Sequence, residues 1–272
     1  MSILRGLVAA KDFAMMAFGF TLLAVLCFVW GVASAVLLVV LPVGAGRRAG
    51  RLGAMMGFRL YLGIMKAVCA FRLDLADLDS LRDQGPLIVA PNHPSLLDAV
   101  LVVSRLPDAM CVMKASLLGN FLLGPAARLA RYIRNDTLLG LATRARDELR
   151  HGGHLVLFPE GTRSTREPVG PFTAAVAVVS SRTGVPVQAV FIESSSRALG
   201  KGWPVRSPYP FPLHYRARLG RRFDPPRDVR AFTAELERYF SEELGRLQPQ
   251  AGPFANSPTF AGTPADARDL HG

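Results

Sequence analysis

From Phe13 to Gly46 the sequence contains no charged side chain, and this feature restricts the possible folds more than any other. Crossing the hydrocarbon core of a bilayer takes about 20 helical residues, so the stretch is long enough to span a membrane. A cleaved signal peptide is the competing interpretation, because Ala33-Ser34-Ala35 resembles a cleavage site. However, the apolar run exceeds the length of a signal peptide and continues past that site to Val43. The sequence therefore predicts a membrane anchor.

Positive charge follows this apolar stretch. Arg47, Arg48 and Arg51 come directly after it, and Asp12 is the only acidic residue among the first 70. By the positive-inside rule, the following domain is expected on the cytoplasmic face of the cell (inner) membrane. Two basic residues also precede the stretch, so a re-entrant hairpin with both ends in the cytoplasm is the alternative to a single span.

Residues 52–70 are apolar on nearly every side of a helix. Arg59 and Lys66 lie seven positions apart and therefore fall on one helical stripe. This pattern suits a helix lying in the membrane interface with its cations toward anionic headgroups. A helix packed on the globular domain is the alternative. Both interpretations place the domain against a bilayer.

From about Phe71 the composition becomes that of a soluble α/β domain. The predicted strands are Leu87–Ala90, His154–Phe158, Val187–Ile192 and Leu213–Leu219, and the predicted helices are Ser95–Leu106, Leu138–Arg150, Phe172–Arg182 and Val229–Leu247. Strands that alternate with helices predict an α/β fold with a mostly parallel sheet flanked by helices. The expected organisation is N-terminal transmembrane or interfacial helices over residues 1–70, the α/β domain over 71–247 and a disordered tail over 248–272.

Composition excludes several classes of protein. Half of the residues are hydrophobic, which excludes a collagen-like or wholly disordered chain. Cys27, Cys69 and Cys111 lie far apart, with neither metal-ligand spacing nor a disulfide framework. The net charge of +11 suits a membrane-anchored module that binds nucleic acid or anionic lipid. Nucleic acid is not expected as a partner, because no nucleic-acid motif is present and much of the charge flanks apolar segments.

The first chemically distinctive segment is Asn92-His93-Pro94-Ser95-Leu96-Leu97-Asp98, which follows a predicted strand. A turn into the next helix can bring the His93 imidazole over Asp98, whose carboxylate then accepts a hydrogen bond from one ring nitrogen. The other nitrogen is left as a base, as in acyl-transfer sites, but without a protein nucleophile beside it. The alternative is a capping box, in which Ser95 and Asp98 only stabilise the start of the helix.

The second segment is Phe158-Pro159-Glu160-Gly161-Thr162-Arg163-Ser164, at the end of another predicted strand. Ligands favour this end of the strands in open α/β sheets. Arg163 supplies a fork for an oxyanion or phosphate, Thr162 a hydroxyl, and Gly161 allows close backbone approach. A simple turn with a local ion pair between Glu160 and Arg163 is the alternative.

Together, the two segments behind an apolar N-terminus resemble the glycerolipid acyltransferase family, whose best-known members are lysophosphatidate (1-acylglycerol-3-phosphate) acyltransferases. The resemblance covers about residues 50–220. It implies an O-acyltransferase of phospholipid biosynthesis that moves a fatty acyl group from an acyl-CoA or acyl-carrier-protein thioester to a hydroxyl of a membrane lysolipid. It further implies that His93 is the general base and Asp98 its orienter.

The resemblance also implies a substrate-binding set. Its members are Lys114, Arg134, Glu160, Gly161, Thr162 and Arg163, with Arg163 on the acceptor phosphate. Arg134 stands one position earlier than in the family pattern, so Arg131 is a second candidate for its role. The segment Val185-Pro186-Val187-Gln188-Ala189 lacks the second proline of the fourth family block.

These departures weaken any assignment of the acceptor, so a specialised non-phosphatidate acceptor served by an acyl-carrier-protein donor is an alternative. A non-catalytic, membrane-anchored scaffold that binds anionic lipid is another. No metal and no cofactor are expected, since the thioester is a co-substrate and the sequence contains neither G-x-S-x-G nor H-E-x-x-H. The arginines of residues 216–222 form either a solvated basic face or a dock for a carrier or anionic headgroup.

Overall fold

The computed structural model describes residues 2–68, 70–164, 168–196, 199–203, 209 and 211–247. Two helices, α1 (Ser2–Val40) and α2 (Val43–Ala67), form an antiparallel pair joined by a short turn. The pairing is antiparallel because Gly19 faces Met65 near one end and Gly53 faces Trp30 nearer the turn. In the part of the chain described, only α1 is long and apolar enough to cross a membrane, over Gly6–Val40. Its length and composition agree with the predicted anchor.

The α/β domain follows directly. Its strands are β1 (Phe71–Asp74), β2 (Leu87–Pro91), β3 (Ala109–Lys114), β4 (Ile133–Asn135), β5 (His154–Val156), β6 (Val187–Ser194) and β7 (Leu213–Phe223). Its helices are α3 (Asp98–Val103), α4 (Ala115–Leu118), α5 (Gly124–Leu129), α6 (Leu138–Leu149), α7 (Ala175–Thr183) and α8 (Val229–Leu247), with a 3₁₀ helix at Ala76–Leu81. The predicted tail over 248–272 lies outside the described residues.

Seven strands form one mixed sheet in the order β1-β7-β6-β2-β5-β3-β4. All neighbouring strands are parallel except β6 and β7, which pair antiparallel. The predicted α/β class with a mostly parallel sheet is confirmed, although the predicted strands did not include β1, β3 or β4. We call the edge at which β2, β3, β4, β5 and β6 end the carboxyl edge. Every sequence motif that follows one of these strands is brought to it.

Apolar side chains cover both faces of the sheet. Along β2, Val89 packs into a core shared with α2 and α3, whereas Ile88 and Ala90 pack into a core shared with α6, α7 and α8. All five residues of β2 are buried, as expected for a central strand covered on both sides. The strand that leads to the first motif is therefore held rigidly.

Arg51 attaches α2 to the domain. Its side chain is fully buried, and its Nη1 and Nη2 lie 2.8 Å from carboxylate oxygens of Asp108 and Glu148, respectively. Its Nε donates to the Ala130 carbonyl at 3.1 Å. This arginine therefore belongs to an internal ion-pair network rather than to the cationic flank of the anchor. The structure places α2 on the domain, as the second interpretation of residues 52–70 proposed, while Leu52 remains exposed.

The basic segment on β7 is also paired internally. Arg216 lies 3.2 Å from Asp74, Arg218 lies 2.9 Å from Glu193, and Arg222 donates to Gln188 at 3.1 Å. These contacts agree with a solvated basic face rather than with an open cationic dock.

Candidate active site

The end of β2 is fastened to β6 by a side chain. Asn92 accepts a hydrogen bond from the Ile192 amide at 2.7 Å and donates to the Ile192 carbonyl at 3.0 Å. These two bonds hold Asn92 as the chain leaves the sheet, so the backbone of the next residue, His93, starts from a fixed point. The sequence shows Asn92 directly before His93, but that position alone predicts neither of these hydrogen bonds.

His93 and Asp98 are hydrogen-bonded, with 2.8 Å between Nδ1 and Oδ2. The same carboxylate accepts from the Ser95 amide at 2.7 Å and from the Ser95 hydroxyl at 2.6 Å. The orienting and capping interpretations of this segment therefore coexist, because Asp98 holds the turn and contacts the imidazole. The helix itself begins at Asp98, three residues later than predicted, since residues 95–97 form the turn.

The hydrogen bonds at Asp98 determine which ring nitrogen of His93 carries the proton. Burial raises the pKa of the Asp98 carboxyl, while hydrogen bonds from His93 and Ser95 favour its ionised form. With donors on both oxygens, the carboxylate can only accept, so Nδ1 of the neutral imidazole carries the proton. Nε2 is then left with its lone pair, and the His93 side chain remains 18% exposed. In this arrangement a buried carboxylate orients an imidazole whose Nε2 can accept a proton.

The second motif lies directly beside His93. The Phe158 ring stacks on the imidazole, with 4.0 Å between centroids and 22° between planes. Ser164 donates its amide hydrogen to the His93 carbonyl at 2.7 Å. The structure thus brings together two loops that are 60 to 70 residues apart in sequence. Phe158 had no assigned role from the sequence, although its position at the end of a strand was visible.

Glu160 connects the two loops from within. Its Oε1 accepts from the His93 amide at 3.1 Å and from the Ser164 hydroxyl at 2.7 Å, and its Oε2 accepts from the Gly170 amide at 2.8 Å. The residue is buried. Its carboxylate is therefore occupied by the protein's own backbone and hydroxyl donors, rather than by Arg163 as in a local turn ion pair.

The remaining residues of this loop lie at its surface. Gly161 has a φ of +66°, a conformation that other residues rarely adopt, and Thr162 beside it is exposed. Arg163 donates through Nη1 to the carbonyls of Leu199 at 2.9 Å and Gly200 at 3.0 Å. The guanidinium is thereby anchored at the carboxyl edge, close to the chain that leads from His93, because Leu96 also donates to the Leu199 carbonyl.

Lys114 and Arg134 also lie at the carboxyl edge, but they are farther along it than the two loops that contain His93 and Glu160. Lys114 is exposed at the end of β3, two strands from β2, and Arg134 is on β4, three strands away. At about 4.8 Å per strand, these offsets are roughly 10 and 14 Å. Arg134 lies 2.6 Å from Asp136, and its hydrogen bond holds the pKa of that carboxyl below its ordinary value. Arg131, the second candidate for the role of Arg134, precedes β4 and therefore lies at the opposite edge of the sheet. Its Nε lies 3.1 Å from Glu148.

An apolar crevice opens beside the two loops. Met15, Gly19 and Leu23 of α1 face Leu97 and Leu199 across it. In the described structure the crevice encloses only about 10 Å³, so an alkyl chain could enter only if side chains of α1 moved. The turn that holds His93 thus contributes Leu97 to a crevice whose other side is lined by α1. In the described part of the chain, no group of three or more His, Cys, Asp or Glu residues is arranged to hold a metal ion.

Comparison with known families assigns this arrangement to a class. Residues 72–193 match the family model described as Acyltransferase. This range contains His93, Asp98 and the whole Glu160–Arg163 loop. This part of the chain is therefore similar to an acyltransferase domain, and the predicted enzyme class, an O-acyltransferase, is confirmed.

Particular relatives give this class more detail. The chain is 22% identical over 240 residues to the 1-acyl-sn-glycerol-3-phosphate acyltransferase of Pseudomonas aeruginosa, covering 85% of this chain and 90% of that protein. It is 24% identical over 138 residues to the chloroplastic 1-acyl-sn-glycerol-3-phosphate acyltransferase BAT2 of Brassica napus, covering 48% of this chain and 40% of that protein. The crystal structure of the 1-acyl-sn-glycerophosphate acyltransferase PlsC from Thermotoga maritima has the same fold, with a TM-score of 0.64, 17% identity and coverage of 89% of this chain and 98% of that one.

Proposed function

We propose that this protein is a membrane-bound acyltransferase that transfers a fatty acyl group from an acyl-CoA or acyl-carrier-protein thioester to a lysophospholipid hydroxyl. The acceptor we favour is 1-acylglycerol-3-phosphate, which corresponds to the activity named for the two similar sequences. The observation that carries the proposal is the 2.8 Å contact between His93 and a buried Asp98, in a loop bonded to the Glu160–Arg163 loop. We propose the cell (inner) membrane as its location, with the domain on the cytoplasmic face.

The proposed reaction begins at the acceptor hydroxyl. Nε2 of His93 removes the hydroxyl proton as the oxygen attacks the thioester carbonyl carbon. The C–S bond then breaks, the thiolate leaves, and the imidazolium returns the proton to sulfur, so that the products are an ester and a free thiol. A positioned base of this kind contributes about 10²–10⁴-fold in rate. No cofactor enters these steps, because the thioester itself is the activated co-substrate.

Substrate placement follows from the charges at the same edge. Arg163 is anchored through one nitrogen of a planar fork that suits a phosphate, so we assign it to the acceptor phosphate. Gly161 and Thr162 would lie against the same group. Lys114 and Arg134 are farther along the edge and are assigned to a second anionic part of a long substrate, such as the donor's phosphates.

A carrier-protein donor with a specialised acceptor remains the second candidate, favoured by the departures from the family pattern around Arg134 and Gln188. Gln188 is buried and donates to the Gly220 carbonyl at 2.7 Å, so this unusual polar residue has an internal structural partner. A non-catalytic scaffold that binds anionic lipid is a third candidate. It is less favoured because the His93–Asp98 pair is complete.

The test measures thiol release and lipid products from purified protein supplied with acyl-CoA or acyl-carrier protein and a panel of lysolipids. We expect turnover with 1-acylglycerol-3-phosphate that is lost in His93→Ala and Asp98→Asn. His151→Ala is the matched control, because His151 is an exposed histidine whose Nδ1 contacts the Asp147 carbonyl. Near-wild-type turnover by a folded His93→Ala variant would exclude His93 as the base, and absence of turnover with every pair of substrates would favour the scaffold.

A further inference from the structure

Large apolar side chains are exposed at one place on the α/β domain. Among the described residues of 70–247, those with exposed large apolar side chains are Leu96, Leu117, Phe121, Leu138 and Leu139. We call these five residues the apolar rim. Leu96 follows β2, the next two follow β3, and the last two follow β4, so the topology brings all of them to the carboxyl edge. Single exposed apolar residues are common on protein surfaces, but their confinement to one edge calls for a partner.

The rim is continuous with the apolar surface of α1. Gly31 of α1 lies so close to the chain after β3 that an added Cβ would be 2.5 Å from the Leu122 carbonyl oxygen. Phe121 is the neighbour of that residue, and on α1 the exposed residues Phe28 and Val32 flank Gly31. The outward apolar side of the anchor helix therefore continues onto the loops that surround the candidate active site.

We propose that the apolar rim inserts into the lipid bilayer beside α1 and holds the mouth of the active site against the membrane surface. The inference rests on the proposed function, because it explains how a base fixed in a rigid domain meets an acceptor that stays in the bilayer. An exposed phenylalanine and leucines beside an anchor helix are the side chains that lie at the boundary of headgroups and acyl chains.

A bilayer fits this edge better than an acidic protein partner does. Phe121 is 81% exposed and Leu139 65%, so the most prominent groups are apolar. Two cations near them, Arg134 and Arg144, share the single carboxylate of Asp136 at 2.6 Å, which offsets one of their two charges. An acyl-carrier protein docked here would meet Lys114 and this one remaining arginine charge beside a larger apolar surface, and this possibility becomes one outcome of the test.

The first experiment detects insertion without relying on activity. Phe121→Trp is reconstituted in vesicles of phosphatidylcholine and phosphatidylglycerol with brominated acyl chains, and its fluorescence is compared with that of the unsubstituted chain. The matched control is Asp83→Trp, an exposed position before β2 at the opposite edge. We expect bromine to quench the tryptophan at 121 several-fold more strongly than the one at 83. Equal quenching at both positions would overturn the proposal.

The second experiment separates docking from catalysis. Phe121→Ser and Leu139→Ser are combined and assayed with a long-chain acceptor in a bilayer and with a short-chain acceptor dissolved as monomers. Because burying one such side chain is worth about a ten-fold change in partition, we expect a rise of about ten-fold or more in KM for the bilayer acceptor. Activity on the dissolved acceptor should be unchanged, and Phe121→Leu should behave as the unsubstituted protein.

Other outcomes of the second experiment count against the proposal. An equal loss with both acceptors would mean that the rim shapes the catalytic loops, and no loss with either would remove its role. A loss confined to acyl-carrier-protein donors, whichever acceptor is used, would assign the rim to a protein partner. If the unsubstituted protein turns over neither acceptor, the proposed function fails, while the quenching result still decides the rim.

Discussion

Replacing Glu160 with glutamine is expected to loosen the connection between the two loops of the candidate active site. The carboxylate accepts three hydrogen bonds, from the amides of His93 and Gly170 and from the hydroxyl of Ser164. Glutamine is nearly the same size but has one acceptor oxygen and one donor amide group. Whichever way the amide turns, at least one backbone N–H then faces another donor in a buried place.

The magnitude follows from these contacts. A hydrogen bond to a charged acceptor is worth about 1.5–3 kcal/mol, and leaving a buried donor without a partner costs about 1–3 kcal/mol. Because the hydrogen bonds on the other oxygen can persist, we expect Glu160→Gln to lower the free energy of unfolding by about 2–4 kcal/mol. For a domain of this size, the corresponding decrease in Tm is roughly 5–15 °C. Turnover should fall as well, because the His93 amide is one of the three donors.

The assay is thermal unfolding in detergent, with thiol release measured on the same samples below the transition. Glu235→Gln is the matched control: Glu235 is an exposed partner of Arg221 on α8, and its loss should cost no more than about 1 kcal/mol. If the two variants unfold at the same temperature and Glu160→Gln keeps full turnover, then Glu160 does not connect the loops, and the argument from its three donors is wrong.

Three further predictions concern the supports of the site. Arg51→Ala should lower the free energy of unfolding by about 3–5 kcal/mol, because it leaves buried Glu148 without its closest cation. The control is Arg48→Ala at an exposed position, which should change the free energy of unfolding by under about 0.5 kcal/mol. Equal denaturation midpoints for the two variants would contradict this prediction. Gly50→Ala should cost about 1–3 kcal/mol, since its Cβ would lie 2.5 Å from the Ala130 nitrogen, whereas Gly57→Ala, with open space around it, should stabilise by about 0.5–1 kcal/mol in the same assay. Burial lowers the pKa of His154, so the unfolded chain binds a proton at this histidine more readily than the folded chain, and stability should fall as pH drops below about 6.5. When Tm is measured against pH, it should decline less in His154→Gln. Identical slopes for the two proteins would show that His154 does not cause the pH dependence.

Much of the candidate site was predictable because its residues stand at strand ends. Parallel strands bring their carboxyl ends to one edge, so motifs after β2 and β5 had to lie near each other once the strands were recognised. The 2.8 Å contact of His93 with Asp98 likewise spans only five residues, a distance that a single turn determines. Short runs carry little periodic signal, so the sequence identified β2 and β5 but not the similarly short β3 and β4.

Long-range contacts were not predictable in the same way. The sequence shows Arg51 as one more cation after an apolar stretch, and only the fold reveals that it is buried against Glu148, which is 97 residues away. In the same way, the sequence does not show that the Glu160 carboxylate accepts hydrogen bonds from the amides of His93 and Gly170.

By itself, the sequence determined the long apolar helix, the α/β class and the chemistry of the two motifs, because these depend on composition, periodicity and neighbours within one or two turns. Only the tertiary structure decided which charged side chains form ion pairs inside the protein, which side of α2 is buried and which apolar residues lie around the candidate active site. Those properties depend on which residues meet after the chain has crossed the sheet several times. The same local sequence can be buried or exposed, paired or free, until its distant partner is in place.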